Sequence, residues 1–223
     1  MIRRFPPATA APHPAVKVCG LTGLENARAV LAAGADALGI NFWPQSKRHV
    51  SLTHARTWLP ELRDLTPLVA VLVNPEPDLL DALTNEDLVH TLQLHGDESP
   101  ATVAHLMERG LSVIKALQIR DASSLDAIAH YPCPDILLDA YNPGLYGGAG
   151  HAFPWHLFTE AQQRFPEKRL ILSGGLTPEN VATAVRQTHP LAVDVASGVE
   201  SAPGIKDPAQ VEQFVQAVRS ASA

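Results

Sequence analysis

From Ala15 onward one pattern recurs eight times: a short aliphatic or β-branched run, a few turn residues, then a segment whose apolar residues fall at helical spacing. The strand candidates are residues 16–19, 35–42, 67–73, 88–94, 111–117, 135–139, 169–173 and 191–195. The helix candidates lie near 23–33, 52–62, 77–84, 99–109, 123–130, 155–164, 178–187 and 207–219. Strict βα alternation requires parallel strands joined by right-handed crossovers. Eight units in about 205 residues fit a single-domain α/β fold, the (β/α)8 TIM barrel, better than the alternative, a six-stranded open sheet. The punctuation agrees. Thr177-Pro178-Glu179 reads as an N-cap, a first-turn proline and a first-turn acid, and Ser99-Pro100 and Asp207-Pro208 repeat the cap and proline.

Composition narrows the class. The chain has 223 residues, 46% of them hydrophobic and 18% charged, which is enough to bury a core. No stretch reaches the ~18–20 apolar residues of a membrane span. Seventeen basic against 23 acidic side chains give a net charge of −6, the wrong sign for a nucleic-acid surface, although a local anion site remains open. Two cysteines, Cys19 and Cys133, fit a reducing cytoplasm rather than a disulfide scaffold. Residues 1–14, with prolines at 6, 7, 12 and 14 and no apolar central region, read as a mobile tail before a barrel over 15–223.

In such a barrel the chemistry belongs to the C-terminal ends of the strands and the loops beyond them. SGGL (173–176) and ASGVE (196–200) follow strands seven and eight, where barrels commonly bind phosphate. Their glycines let backbone N–H groups converge on an anion, and a helix starting at Pro178 would turn its positive end there. Cys19 ends strand one and Asp139 ends strand six, on facing walls, so a base and an acid could move a proton within one bound sugar. Arg48, in the strand-two loop, could hold a substrate carboxylate through two parallel hydrogen bonds. Gln93 and His95, at the end of strand four, could hydrogen-bond a substrate. The ten histidines form no metal-binding spacing, so no metal is expected. The glycine-rich segment 144–150 reads as a lid. Because side chains alternate along a strand, Lys17 shares a face with Cys19 and lies below it inside the barrel. A buried ammonium needs a counter-charge, and Asp194 on the neighbouring strand eight is the nearest candidate; Arg48 and loop amides are the other claimants on that carboxylate.

KVCGLT (17–22), FWPQSKRHVS (42–51), QLHGDE (93–98), LLDAYNPGLYGGAGHAFPW (137–155), LILSGGLTPENV (170–181) and DVASGVESAPGIKD (194–207) together resemble the phosphoribosylanthranilate isomerases of tryptophan biosynthesis. The resemblance implies a cofactor-independent Amadori rearrangement of N-(5-phosphoribosyl)anthranilate to 1-(2-carboxyphenylamino)-1-deoxyribulose 5-phosphate. It implies Cys19 as general base, Asp139 as general acid and Arg48 as the ligand of the anthranilate carboxylate. Gly174, Gly175, Ser197 and Gly198 fall in the phosphate loops. Asp194 is counted with the substrate-binding residues. The implied partner is a small phosphorylated substrate, with the oligomeric state left open. Ala196 stands where the family often has a serine before SGVE, so no hydroxyl contact is expected there. A related isomerase of histidine biosynthesis would carry an aspartate at position 19, and a barrel that only binds phosphate ligands would not need both Cys19 and Asp139.

Overall fold

A computed structural model of the chain describes residues 4–6, 12–141 and 153–221. The eight strands, β1 (Ala15–Cys19), β2 (Ala37–Asn41), β3 (Leu68–Leu72), β4 (Thr91–Leu94), β5 (Val113–Ile119), β6 (Asp135–Ala140), β7 (Arg169–Leu172) and β8 (Ala192–Val195), are the runs expected from the sequence. They are parallel and close into a barrel when β8 pairs with β1, which removes the open-sheet alternative. The helices are α1 (Leu24–Ala32), α2 (Leu52–Ala55), α3 (Leu59–Leu62), α4 (Pro77–Asn85), α5 (Pro100–Glu108), α6 (Trp155–Arg164), α7 (Val181–Thr188) and α8 (Pro208–Ala221). A 3-10 helix, Ala122–His130, takes the place of the helix expected near 123–130. None of the described helices is long and apolar enough to cross a membrane.

Two expected helices are altered for local reasons. The segment 52–62 is two short helices, because Pro60 has no N–H to donate to the preceding turn. The helix expected from Pro178 begins at Val181, after a turn in which Asn180 Oδ1 accepts from Thr177 N and Asn180 Nδ2 donates to Gly175 O. The Ser99 cap is present, its hydroxyl accepting from Thr102 N at 3.1 Å, and Asp207 Oδ1 accepts from Ala209 N at 2.9 Å.

Strand register decides which side chains fill the barrel. Lys17 and Cys19 pair with Ala37 and Gly39, Val71 pairs with Gln93, Asp139 with Gln118, and Asp194 with Lys17. All of these therefore share the inward face. The alternate residues, such as Val18, Leu38, Ile40 and Leu138, pack outward against Val30, Leu59, Phe158, Val185 and Phe214 of the surrounding helices. The lower interior is lined by Ala15, Ala37, Ala116 and Ala192 together with Val69, Ile114, Leu137 and Ile171. Four alanines leave room there, and Phe5, 1% exposed, fills it, with its N–H 3.5 Å from Thr91 Oγ1. Residues 4–6 thus depart from the mobile tail expected of 1–14: an aromatic side chain gains more by entering the barrel floor than by staying in water. Residues 1–3 and 7–11 of that tail, and the lid expected at 144–150, lie outside the described residues.

Candidate active site

The upper interior of the barrel is polar where the lower interior is apolar. Cys19 stands at the end of β1 and is buried. Beneath it Lys17, fully buried, donates to Asp194 Oδ1 at 2.7 Å, which is the pairing expected from strand parity. The same carboxylate lies 3.5 Å from Ser173 Oγ. Gly39 makes this arrangement possible, since a Cβ placed on it would lie 2.8 Å from Cys19 Sγ and 3.0 Å from both Cys19 Cα and Lys17 Nζ. Burial pushes the Cys19 thiol above its ordinary value, against the opposing pull of Lys17 and Lys206. Burial also works to lower the Lys17 ammonium, but the Asp194 carboxylate outweighs it and leaves that lysine above its usual range.

Arg48 reaches the site from the loop after β2, but not with the geometry expected of it. Its Nε and Nη2 donate to Glu200 Oε1 and Oε2, each at 2.7 Å, so the planar fork is engaged by a protein carboxylate. A substrate carboxylate can meet only the remaining end of the guanidinium, Nη1 and the second Nη2 hydrogen. The aliphatic stem of Arg48 lies over Gly20; a Cβ on Gly20, whose φ is +86°, would fall 2.4 Å from Arg48 Cδ. Glu200 also accepts from Lys206 Nζ at 2.6 Å and from Gly204 N at 3.1 Å. Both partners sit on a two-stranded hairpin, β9 (Glu200–Ala202) and β10 (Ile205–Lys206), that follows β8. Gly39, Glu200 and Lys206 were not singled out from the sequence. Glu200 and Lys206 lie within the SGVE-to-IKD string, but no periodicity announces a two-residue strand.

On the opposite wall Asp139 is 5% exposed. Its Oδ1 accepts from Ala140 N at 2.9 Å, and its Oδ2 is 3.4 Å from His95 Nε2, within ion-pair range but outside hydrogen-bond geometry. With Gln93 Nε2 donating to His95 Nδ1 at 3.1 Å, the proton of a neutral His95 resides on Nε2, facing Asp139. Among the described residues, Gln93 Oε1 and His95 Nε2 are buried with no hydrogen-bond partner, and such atoms are the ones a bound ligand can satisfy. The loop that carries His95 is fixed from behind. Glu98 accepts from Asn74 N, Gly96 N and the buried Lys115, whose ammonium is 2.7 Å from Glu98 Oε2 and 2.6 Å from Gly96 O.

The two glycine loops come together as expected. A Cβ on Gly198 would fall 1.9 Å from Leu176 O, so the loops after β7 and β8 pack backbone to backbone, with Ser197 beside the contact. Gly174 and Gly175 have φ of +90° and +64°, a conformation that favours glycine. A Cβ on Gly174 would also lie 2.7 Å from Ala140 N and 3.1 Å from Asp139 Oδ1, so this glycine loop packs directly against the end of β6. The site therefore has two packed glycine loops at one end, a guanidinium at the other, and a thiol and a carboxyl between them. Among the described residues, no group of three His, Cys, Asp or Glu side chains is placed to hold a metal ion.

Comparison with known proteins places the chain in one family. The sequence model of the family described as N-(5'phosphoribosyl)anthranilate (PRA) isomerase matches residues 16–217. The N-(5'-phosphoribosyl)anthranilate isomerase of Trichlorobacter lovleyi is 42% identical over 206 residues, covering 92% of this chain and 98% of the relative. The crystal structure of phosphoribosyl anthranilate isomerase from Thermotoga maritima superposes with a TM-score of 0.83 at 38% identity, covering 93% of this chain and 99% of that one. A structure of a phosphoribosyl anthranilate isomerase in complex with reduced 1-(o-carboxyphenylamino)-1-deoxyribulose 5-phosphate matches with a TM-score of 0.79 at 36% identity, with coverage of 93% and 99%.

Proposed function

Because this chain belongs to the N-(5'-phosphoribosyl)anthranilate isomerase family and catalyses that family's rearrangement in tryptophan biosynthesis, we propose that Cys19 and Asp139 are its proton carriers. The observation that carries the reading is the inward register of both residues at the same end of the barrel, between the glycine loops and Arg48. The substrate's phosphate lies in the cradle of Gly174, Gly175, Ser197 and Gly198, and its carboxylate meets the free end of Arg48. Binding at these two remote ends holds the ribose between thiol and carboxyl, where the reaction becomes intramolecular in effect.

As general acid, Asp139 gives a proton to the furanose ring oxygen as the C1–O bond breaks and the anthranilate nitrogen lone pair forms the Schiff base. The Cys19 thiolate then takes the C2 proton, and the electron pair of that C–H bond moves to neutralise the iminium, leaving an enolamine. Proton transfer to C1 from the enol completes the aminoketone. His95 and Gln93 stand where the sugar hydroxyls pass, with a donor and an acceptor left unsatisfied among the described residues. Cys19 is held mainly as the neutral thiol in the free enzyme, so kcat/KM rises with pH as thiolate forms. Both cysteines are free and buried, which supports a reducing, cytoplasmic setting.

The test follows the loss of anthranilate-type fluorescence on addition of phosphoribosylanthranilate. Cys19→Ser and Asp139→Asn should each lose ~10²–10⁴-fold in kcat. Both should still bind reduced 1-(o-carboxyphenylamino)-1-deoxyribulose 5-phosphate. Retention of most of the turnover by Cys19→Ser makes the thiol a packing residue and ends the assignment.

A further inference from the structure

We propose that Glu200 and Lys206 form a positioning pair for the rearrangement: a buried carboxylate–ammonium unit on the β9–β10 hairpin that presents the Arg48 guanidinium end-on to the substrate carboxylate and sets a positive charge beside Cys19. The proposal rests on the reading above, in which Arg48 holds the carboxylate and Cys19 is the base.

The geometry is a chain of three charges. Arg48 is bound through two of its nitrogens to Glu200, and Glu200 is bound in turn to Lys206 at 2.6 Å. The Arg48 side chain is 14% exposed, that of Glu200 5% and that of Lys206 0%. Holding a long side chain in one rotamer before binding removes an entropy cost that a free arginine would meet during binding. The clamp has an electrostatic consequence, however. An arginine bound to a glutamate is a neutral pair and gives a carboxylate little reason to approach. Lys206 restores the balance: Arg48, Glu200 and Lys206 together carry one net positive charge. Lys206 is itself held on three sides, by Glu200, by Ala196 O at 3.0 Å, and through its backbone by Asn26, which accepts from Lys206 N at 2.8 Å and donates to Lys206 O at 2.9 Å. Through the Ala196 carbonyl it joins the loop that follows β8, the strand paired with β1.

The charged groups around Cys19 come from four elements: Lys17 of β1 and Asp194 of β8 beneath it, Arg48 of the loop after β2 over the adjacent Gly20, and Lys206 of β10, joined to Arg48 through Glu200. Lys17 and Asp194 form an internally neutral pair, so the net charge at the thiol is set by Arg48, Glu200 and Lys206. Burial works to raise the Glu200 carboxyl, and the hydrogen bonds from Arg48 and Lys206 overcome it, leaving it below the usual carboxylate range. Burial lowers Lys206 from the ordinary lysine value against the support of Glu200.

The experiment uses Lys206→Met, Lys206→Arg and Arg48→Met in the full chain, with two probes: reduced 1-(o-carboxyphenylamino)-1-deoxyribulose 5-phosphate and the same compound without its ring carboxylate. Lys206→Met should bind the carboxylated probe about tenfold more weakly and the other as the parent does, which also reports that the barrel has folded. Lys206→Arg should recover most of the loss. Alkylation of Cys19 by iodoacetamide, read by mass spectrometry across pH, should shift to higher pH in Lys206→Met and return in Lys206→Arg. If Lys206→Met binds both probes like the parent, or weakens both equally, the positioning role is overturned; an unshifted alkylation profile overturns the charge placed at Cys19. If Arg48→Met also leaves the carboxylated probe unaffected, the fault lies with the assignment of Arg48 instead, so the two failures are distinguishable.

Discussion

Replacing Lys17 with methionine isolates the energetics of the polar barrel interior. The lysine is 0% exposed and its ammonium is 2.7 Å from Asp194 Oδ1; the carboxylate side chain is 7% exposed. Methionine preserves most of the stem volume, so the loss is mainly electrostatic. Without Lys17, the Asp194 carboxylate keeps, among the described residues, only the Ser173 hydroxyl, at 3.5 Å, as a side-chain hydrogen-bond partner. Removing one member of a buried pair leaves the other uncompensated at a cost of ~3–5 kcal/mol. For a domain of this size that corresponds to a fall in Tm of roughly 6–20 °C. Asp194→Leu alone should cost a similar amount by stranding the ammonium. The double variant removes both charges and should lose far less than the sum, giving a coupling of at least ~2 kcal/mol. Urea unfolding of the four proteins at pH 7 measures it. Pairing raises the folded-state value of Lys17, so its contribution is fully present below the unfolded lysine value of ~10.4 and is lost as pH rises through the higher folded value. The stability gap between parent and Lys17→Met should therefore be flat from pH 6 to 9 and narrow only at more alkaline pH. Additivity of the two single variants within ~0.5 kcal/mol refutes the pairing as an energetic unit.

Two further outcomes test positions the structure brought forward. Gly39→Ala places a methyl 2.8 Å from Cys19 Sγ and 3.0 Å from its Cα, and should cost ~1–3 kcal/mol in stability together with a drop in kcat as the thiol is displaced. Unchanged kcat would show that Gly39 does not set the position of Cys19. Phe5→Ala empties the alanine-lined barrel floor and should lower stability by up to ~3 kcal/mol in chemical denaturation with kcat unaltered, because the floor is at the opposite end from Cys19. A variant as stable as the parent would mean that the N-terminal segment contributes nothing to the core.

What the sequence determined by itself is the set of features governed by local rules. Eight apolar runs alternating with helical spacing leave few ways of burying both faces of the sheet, and the barrel is the one that eight parallel units close. Placing Cys19, Asp139 and the SGGL and SGVE loops at the C-terminal ends of strands then required no coordinates. Alternation along a strand was enough to put Lys17 below Cys19, and chain order was enough to bring β8 beside β1 and Asp194 to the lysine. Tertiary structure decided what depends on contacts between segments distant in sequence. Arg48 and Glu200 are separated by 152 residues, and the two-residue strand that carries Lys206 has no periodicity of its own. Gly39 gains meaning only from the register that sets it against Cys19. Phe5 lies in a proline-rich stretch that reads as tail, and its place in the barrel exists only because four alanines from distant strands meet there. Patterning fixes which face of an element is buried; which side chains then share the buried space is settled by register and closure, and these emerge only when all eight strands are assembled.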